Sequence, residues 1–154
     1  MSTQDLTHAD RLRELAAADA PVALDDVLAL FDALPAVAVE ELLGAWSGGA
    51  IPTGHPGEGQ LAAMHWAGKE FRSVDDVDPI VVRNAAGERE ASPILGAATL
   101  RAVAYRGVVT ATMVYDKHPV FDHFRRAGDG LLLGLMDRKG EDAPLAFYLE
   151  RLAG

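Results

Sequence analysis

Residues 97–115, AATLRAVAYRGVVTATMVY, decide the fold class of this chain. Two runs of β-forming residues, 97–105 and 108–115, flank Arg106 and Gly107, and a glycine at this point suits a tight hairpin turn. The second run alternates, so its threonines share one face and its apolar side chains share the other. The apolar members are Val109, Ala111, Met113 and Tyr115. The pattern predicts a pair of antiparallel strands.

Further strand-like runs lie on both sides of this hairpin. They are 44–51, 69–72, 80–83, 131–137 and 145–152. The glycines of the first run disfavour a helix there, and turn residues separate the others. About seven or eight short strands in succession favour an antiparallel sheet over β–α–β units. We expect this sheet to curl into a barrel, and an open half-barrel backed by helices is the alternative.

The first quarter of the chain has helical spacing. Thr7 opens a loose capping box, and the apolar residues that follow predict a helix over 7–18. Asp25 is the expected N-cap of a second helix, which Pro35 ends. A short third helix is predicted over 60–66, after a loop that is rich in proline and glycine.

The composition narrows the classes of function. The 154 residues suit one domain, and the absence of cysteine excludes disulfides and thiolate metal sites. A formal charge of −9, from 23 acidic and 14 basic residues, argues against a nucleic-acid partner. The start of the chain lacks the pattern of a secretory signal, and no apolar run approaches the ~18 residues of a membrane helix. We therefore expect a cytoplasmic protein that is not an integral membrane protein.

The segment 115–125, YDKHPVFDHFR, concentrates titratable side chains. If its start is a strand, Asp116 and His118 share a face, and if its end is a helical turn, Asp122 and Arg125 are neighbours. Such a cluster would orient the polar head of a ligand, or it would form a charged connection between strands. The sequence leaves both interpretations open.

An enzyme is the alternative function for the same segment. His118 or His123 would act with Asp116 or Asp122 as a general acid–base pair. However, the sequence has no Gly-x-Ser-x-Gly elbow, phosphate-binding loop or dinucleotide fingerprint. The spacing of the two histidines does not fit a helical zinc motif. Haem held by one histidine inside a barrel stays an alternative, but no metal or cofactor is predicted.

Two ordered groups of motifs reveal a family resemblance. The first group contains Gly44-Ala-Trp-Ser-Gly48 and Thr53-Gly-His55, and the second contains Val114-Tyr-Asp116 and Leu133-Gly-Leu-Met-Asp137. The chain resembles the bacterial GXWXG protein family, in which an N-terminal GXWXG segment precedes an accompanying domain of unknown function. The match begins near residue 25. We therefore expect 1–24 to be a variable helical extension and 25–154 to be a single barrel domain.

The resemblance implies a mainly β fold, a small antiparallel lipocalin-like (calycin-like) β-barrel preceded by N-terminal helices. It also implies binding of an apolar small molecule, such as a fatty acid or a phospholipid-like molecule, inside the barrel, and no catalytic residue. The residues expected at the ligand are Trp46, His55, Trp66, Lys69, Tyr115, Asp116, Asp122, Phe124, Arg125 and Met136. An anionic head group would favour one of four basic side chains as its partner, Lys69, Arg72, Arg101 or Arg125.

Two of these expectations have structural alternatives. In lipocalin-like barrels a tryptophan of this kind plugs one end of the barrel, so Trp46 would then be a core residue and not a ligand contact. The apolar faces of the N-terminal helices would either pack on the barrel or form a homodimer interface. The sequence does not decide between them.

Overall fold

The computed structural model describes residues 3–153, with side chains for residues 7–153. Within that range the chain has three α-helices and a short 3-10 helix. They are α1 (Thr3–Ala16), α2 (Leu24–Ala33), the 3-10 helix (Val39–Leu42) and α3 (Gly57–Ala63). The strands are β1 (Gly44–Ala50), β2 (Trp66–Ser73), β3 (Asp76–Arg83), β4 (Arg89–Ala91), β5 (Ala98–Tyr105), β6 (Val108–Tyr115), β7 (Val120–Gly128), β8 (Leu131–Arg138) and β9 (Leu145–Arg151).

The strands form an antiparallel meander that closes on itself. From β5 to β9 each strand pairs with the next, β9 pairs with β1, and β1 continues through β2 to β3. The ring is completed between β3 and β5, where Val77 pairs with Ala98. The short β4 is an additional strand on β3 and lies outside the ring of eight. The predicted barrel is therefore confirmed, and it is closed.

Two apolar layers hold the barrel and its helices together. Strand β8 shows the division, because Leu132 and Met136 face the barrel interior while Leu131, Leu133 and Leu135 lie beneath α1 and α2. A strand that is buried on both faces reads as an unbroken apolar run. The apolar faces of α1 and α2 are thus covered by the barrel of the same chain.

The first two helices begin earlier than the sequence predicts. Helix α1 begins at Thr3 and not at the expected cap Thr7. Helix α2 has Ala23 at its N-cap position, so Asp25 lies in the first turn, where its charge favours the helix dipole. Residues 1–2 of the predicted extension, and residue 154 of the predicted barrel domain, lie outside the described residues.

The third predicted helix ends before Trp66. Helix α3 stops at Ala63, and His65 has a left-handed backbone with φ of 57°, which ends helical hydrogen bonding. Trp66 is then the first residue of β2. Leu61 of α3, Met64 at its C-cap and Trp66 of β2 nevertheless line the same space.

The helical turn predicted for Asp122 and Arg125 is wrong, since both residues belong to β7. Alternation along this strand turns Asp122 and Phe124 toward the barrel interior and His123 and Arg125 toward the outer layer. Asp122, His123 and Arg125 are polar residues that usually lie at the surface, so the sequence did not predict a strand here. Strand β7 is nevertheless buried on both faces. Other parts of the fold supply each of these polar side chains with at least one partner.

Candidate ligand-binding site

One end of the barrel interior is filled by Trp46, and we call it the closed end. Trp46 is 1% exposed, and its indole Nε1 donates a hydrogen bond to the carbonyl of Leu42 over 2.7 Å. The guanidinium carbon of Arg151 lies 4.3 Å from the indole ring centre and covers that end. Because its polar atom is bonded and its ring is enclosed, Trp46 plugs the barrel.

The other end of the interior, which we call the open end, contains a cavity of about 500 Å³. Its walls are mostly aromatic and aliphatic side chains from several elements. They include Leu61 of α3, Trp66 of β2, Tyr115 of β6, Met136 of β8 and Phe147 of β9. Cavities of this size and character are typical of small-molecule sites.

A bulge at Gly68 brings two cavity residues of β2 together. Trp66 and Lys69 are an odd number of positions apart, so regular alternation would place them on opposite faces. The pairing of β2 with β3 shifts register on both sides of Gly68, whose φ is +142°. A Cβ at this position would lie 1.9 Å from the carbonyl oxygen of Trp46. Glycine therefore permits the bulge, and the bulge turns both side chains inward.

Gly48, the last residue of the GXWXG motif, makes room for Trp66. A Cβ at Gly48 would lie 2.8 Å from Cη2 of Trp66 and equally close to Leu149. The motif thus serves both tryptophans, since it contains Trp46 and leaves space for Trp66. This explains in physical terms why its glycines lie in a strand, where glycine is otherwise unfavourable.

A buried ion pair lies at the base of the cavity. Nζ of Lys69 is 2.9 Å from Oδ2 of Asp122, and it also donates to the carbonyl of Pro79 over 3.1 Å. The two charged side chains are only 2% and 1% exposed. Three aromatic rings surround the ammonium, with centres 5.5 Å (Trp66), 5.8 Å (Tyr115) and 5.3 Å (Phe147) from Nζ.

Two buried polar atoms around this pair have no hydrogen-bond partner among the described residues. They are Oδ1 of Asp122, an acceptor, and Nε1 of Trp66, a donor. A buried polar group without a partner costs about 1–3 kcal/mol, and native proteins carry few of them. Both belong to side chains that line the cavity, so water or a guest molecule held there can supply their partners.

Burial sets the protonation behaviour of the acidic groups here. Burial raises the pKa of the Asp122 carboxyl above its ordinary value, and the neighbouring Lys69 ammonium opposes that rise. Burial also raises the pKa of the Tyr115 phenol, and the charge of Asp122 adds to the effect. Tyr115 therefore keeps its proton at neutral pH.

Helix α3 and the loop before it form one side of the cavity mouth. Oε2 of Glu58 accepts hydrogen bonds from the backbone nitrogens of Thr53 and His55. The ring of His55 accepts a bond from Gly57 N through Nδ1 and lies 2.9 Å from Glu141 through Nε2. His55 therefore holds the loop, next to the cavity but outside its lining, while Arg138 lines the mouth itself.

Arg125 and Phe124 lie away from the cavity. The guanidinium of Arg125 donates to the carbonyls of Phe31 and Leu34 and stacks over the ring of Phe31 at 4.5 Å. It therefore fixes the end of α2 to the outside of the barrel. Phe124 is a core residue of the interior, in edge contact with Phe71 and Phe147.

The aspartates and histidines of 115–125 are not paired with each other by any described hydrogen bond or ion pair. Asp116 accepts a bond from Thr99 on the surface. His123 stacks on Tyr105 in the outer layer, contacts Thr112 through Nδ1, and has Asp137 3.5 Å from Nε2. Burial lowers the pKa of His123, so its imidazole is neutral at neutral pH.

The structure brings half of the sequence-predicted site residues together at the open end. These are Trp66, Lys69, Tyr115, Asp122 and Met136. The other five, described above, lie at the closed end, beside the mouth, on the surface, in the core or in the outer layer. The sequence analysis missed Leu61, Met64, Leu145 and Phe147 of the lining. The alternation in 145–152 places Leu145 and Phe147 on one face and was the available signal.

Two kinds of feature are absent from the described residues. None of the helices over residues 3–153 is both long and apolar enough to cross a membrane. The same part of the chain contains no group of three or more histidine, cysteine, aspartate or glutamate side chains placed to hold a metal ion.

Comparisons with known proteins agree with the fold and its motifs. Residues 29–87 match the family described as GXWXG protein, and residues 96–151 match the domain of unknown function DUF4334. A solved crystal structure of a protein from Thermomonospora curvata is 39% identical, with a TM-score of 0.89, over 96% of this chain and 99% of that chain. No curated protein matches the chain. The chain belongs to the GXWXG protein family.

Proposed function

We propose that the open end of the barrel binds an apolar small molecule, such as a fatty acid or a phospholipid-like molecule. The observation that carries this proposal is the cavity of about 500 Å³, with apolar walls and a single buried ion pair at its base. Ligand sites typically combine a concave apolar wall with a few convergent polar groups. The Lys69–Asp122 pair would provide those groups.

The energetics of the ion pair support binding over a purely structural role. Two buried charges cost several kcal/mol to desolvate, and they repay this only when their remaining hydrogen bonds are satisfied. At the base of the cavity the second oxygen of Asp122 is not satisfied. An apolar pair of similar size would stabilise the barrel at least as well, so the retained charges favour a role toward a guest.

The acid–base alternative has less support. Asp122 faces the cavity, whereas His123 faces the outer layer, and the cavity lining contains no histidine among the described residues. A general acid–base pair needs both groups within reach of one substrate. We therefore retain ligand binding as the proposed function.

The proposal is tested by ligand-dependent thermal stability. We expect delipidated protein to be stabilised by dodecanoate, 1-dodecanol or lyso-phospholipid, because a ligand that binds the folded state at a hundredfold excess over its Kd adds about 2.7 kcal/mol. Native mass spectrometry of the freshly purified protein would show a bound mass of the same class.

Two variants of α3 provide the matched control. Ala63 lines the cavity and Ala62 does not, although both are exposed on the same short helix. Ala63→Trp should fill the mouth and weaken binding, while Ala62→Trp should bind as the wild type does. If none of these ligands stabilises the wild type at saturating concentration, the proposed function is wrong.

A further inference from the structure

The base of the cavity offers both a free hydrogen-bond donor and a free acceptor. A protonated lysine has three N–H groups, and Lys69 uses two of them, toward Asp122 and the carbonyl of Pro79. Three aromatic rings also lie around the ammonium, and no described hydrogen bond uses its third N–H group. The third N–H therefore remains available to a guest.

The acceptor is the second carboxylate oxygen. Oδ2 of Asp122 bonds to Lys69, and Oδ1 has no donor within residues 3–153. The indole Nε1 of Trp66 is a further unbonded donor in the wall of the same cavity. A head group placed here meets donors and one acceptor together.

The Lys69–Asp122 pair at the base has no net charge, and the further charged side chain of the lining is Arg138 at the mouth, whose charge lowers the pKa of Asp122. An ionised carboxylate or phosphate of a guest would accept from Lys69 and Trp66, but it would face Asp122 with a second negative charge. Like charges in a low-dielectric site cannot both stay ionised without a large cost. An ammonium guest would face Lys69 with the same difficulty.

We infer that the cavity selects a neutral head group that both donates and accepts a hydrogen bond, and that its ligand is an apolar alcohol and not an ionised fatty acid. A hydroxyl donates to Oδ1 of Asp122 and accepts from Lys69 or Trp66, so it satisfies the groups that the protein leaves open. This inference rests on the proposed function and specifies the head group that the site takes.

A fatty acid meets the same requirement only in a protonated state. Either the ligand or Asp122 must then carry a proton, and burial favours the protonated form of Asp122 while the charges of Lys69 and Arg138 oppose it. Binding of a fatty acid should therefore weaken as the pH rises, whereas binding of an alcohol should not change over the same range.

The test compares ligands of one chain length on the wild-type protein. At about pH 8, where a free carboxylic acid is ionised, 1-dodecanol should bind about tenfold more tightly than dodecanoate. Dodecyl methyl ether, which accepts but does not donate, should bind more weakly than 1-dodecanol. Cyclododecanol distinguishes a cyclic alcohol from a linear one. Isothermal titration calorimetry at several pH values provides the constants.

Two variants separate the ion pair from the apolar walls. Asp122→Asn removes the competing negative charge, so dodecanoate should gain affinity by pairing with Lys69. The double variant Lys69→Met with Asp122→Leu keeps the volume apolar and should bind 1-dodecanol no better than its methyl ether. It provides the comparison if Asp122→Asn does not fold.

The outcomes distinguish the two proposals. Dodecanoate that binds as tightly as 1-dodecanol at about pH 8, without pH dependence, overturns the inference but leaves the apolar binding function in place. Equal affinity for the alcohol and its methyl ether also overturns the inference. Failure of all these ligands to bind removes the proposed function, and the inference is then wrong with it.

Discussion

The two tryptophans of the chain lie toward opposite ends of one barrel interior, and their polar atoms are in opposite situations. At the closed end the indole nitrogen of Trp46 is bonded to Leu42, and Arg151 covers the ring. At the open end the indole nitrogen of Trp66 is buried without a partner among the described residues, and the ring borders a cavity.

The two ends also differ in how completely their charged side chains are hydrogen-bonded. Arg151 at the closed end donates hydrogen bonds to the backbone carbonyls of Leu43 and Glu41. Lys69 and Asp122 at the open end satisfy each other only in part. At the closed end the polar atom of the tryptophan is bonded within the protein, whereas the open end keeps buried polar atoms unbonded beside a cavity, and these atoms are the basis of the proposed binding function.

The largest difference is expected when each tryptophan is truncated. Trp46→Ala removes a fully enclosed plug and should lower the free energy of unfolding by about 4 kcal/mol. The ring of Trp66 borders the cavity, so Trp66→Ala should lower the free energy of unfolding by only about 1–2 kcal/mol. The same variant should weaken ligand binding. Urea unfolding measures both variants. Equal losses would show that the two ends are packed alike.

A smaller difference is expected within the open end itself. Lys69→Met alone leaves Asp122 buried and unpaired, which should cost about 3 kcal/mol. The double variant Lys69→Met with Asp122→Leu replaces the pair by apolar groups and should be about as stable as the wild type. If both variants lose the same stability in urea unfolding, the pair is a structural element and the distinction between the ends fails.

The smallest effect is expected at a surface ion pair between α2 and the turn that joins β5 to β6. Asp32 is bonded to Arg106 at 2.7 Å, and this bond lowers the pKa of the Asp32 carboxyl below its ordinary 3.8. A lowered pKa stabilises the folded state above pH 3.8, and the contribution is lost as the pH falls through the folded value. Asp32→Asn should therefore cost about 0.2–1 kcal/mol at neutral pH and nothing in acid. A loss that persists in acid would assign the effect to something other than charge.

The sequence predicts the barrel well because strand signals are local. The alternation in 108–115 correctly predicts β6, and the apolar run from Leu131 correctly predicts β8. Gly107 lies in the predicted turn before β6. Strand β7 was missed because Asp122, His123 and Arg125 make it look exposed. Their burial depends on Lys69, Tyr105 and the end of α2, which are distant in sequence.

The candidate site was predictable only in part. Five of the residues that the family resemblance implies lie around one cavity, Trp66, Lys69, Tyr115, Asp122 and Met136. The sequence could not show that Gly68 marks a bulge, which decides that Trp66 and Lys69 share a face. It also could not show that Arg125 lies on the outer side of β7. In a strand, alternation decides which side chains face outward, and β7 was not predicted as a strand.

The indole N–H signals of the two tryptophans test the central claim most directly. In a ¹H–¹⁵N correlation spectrum each indole gives its own signal, and Trp66→Phe assigns them. Saturation with 1-dodecanol should move the Trp66 signal, because the guest supplies its missing acceptor, and should leave the Trp46 signal in place. Movement of the Trp46 signal alone, or of neither signal while the ligand demonstrably binds, would contradict a hollow open end opposite a filled closed end.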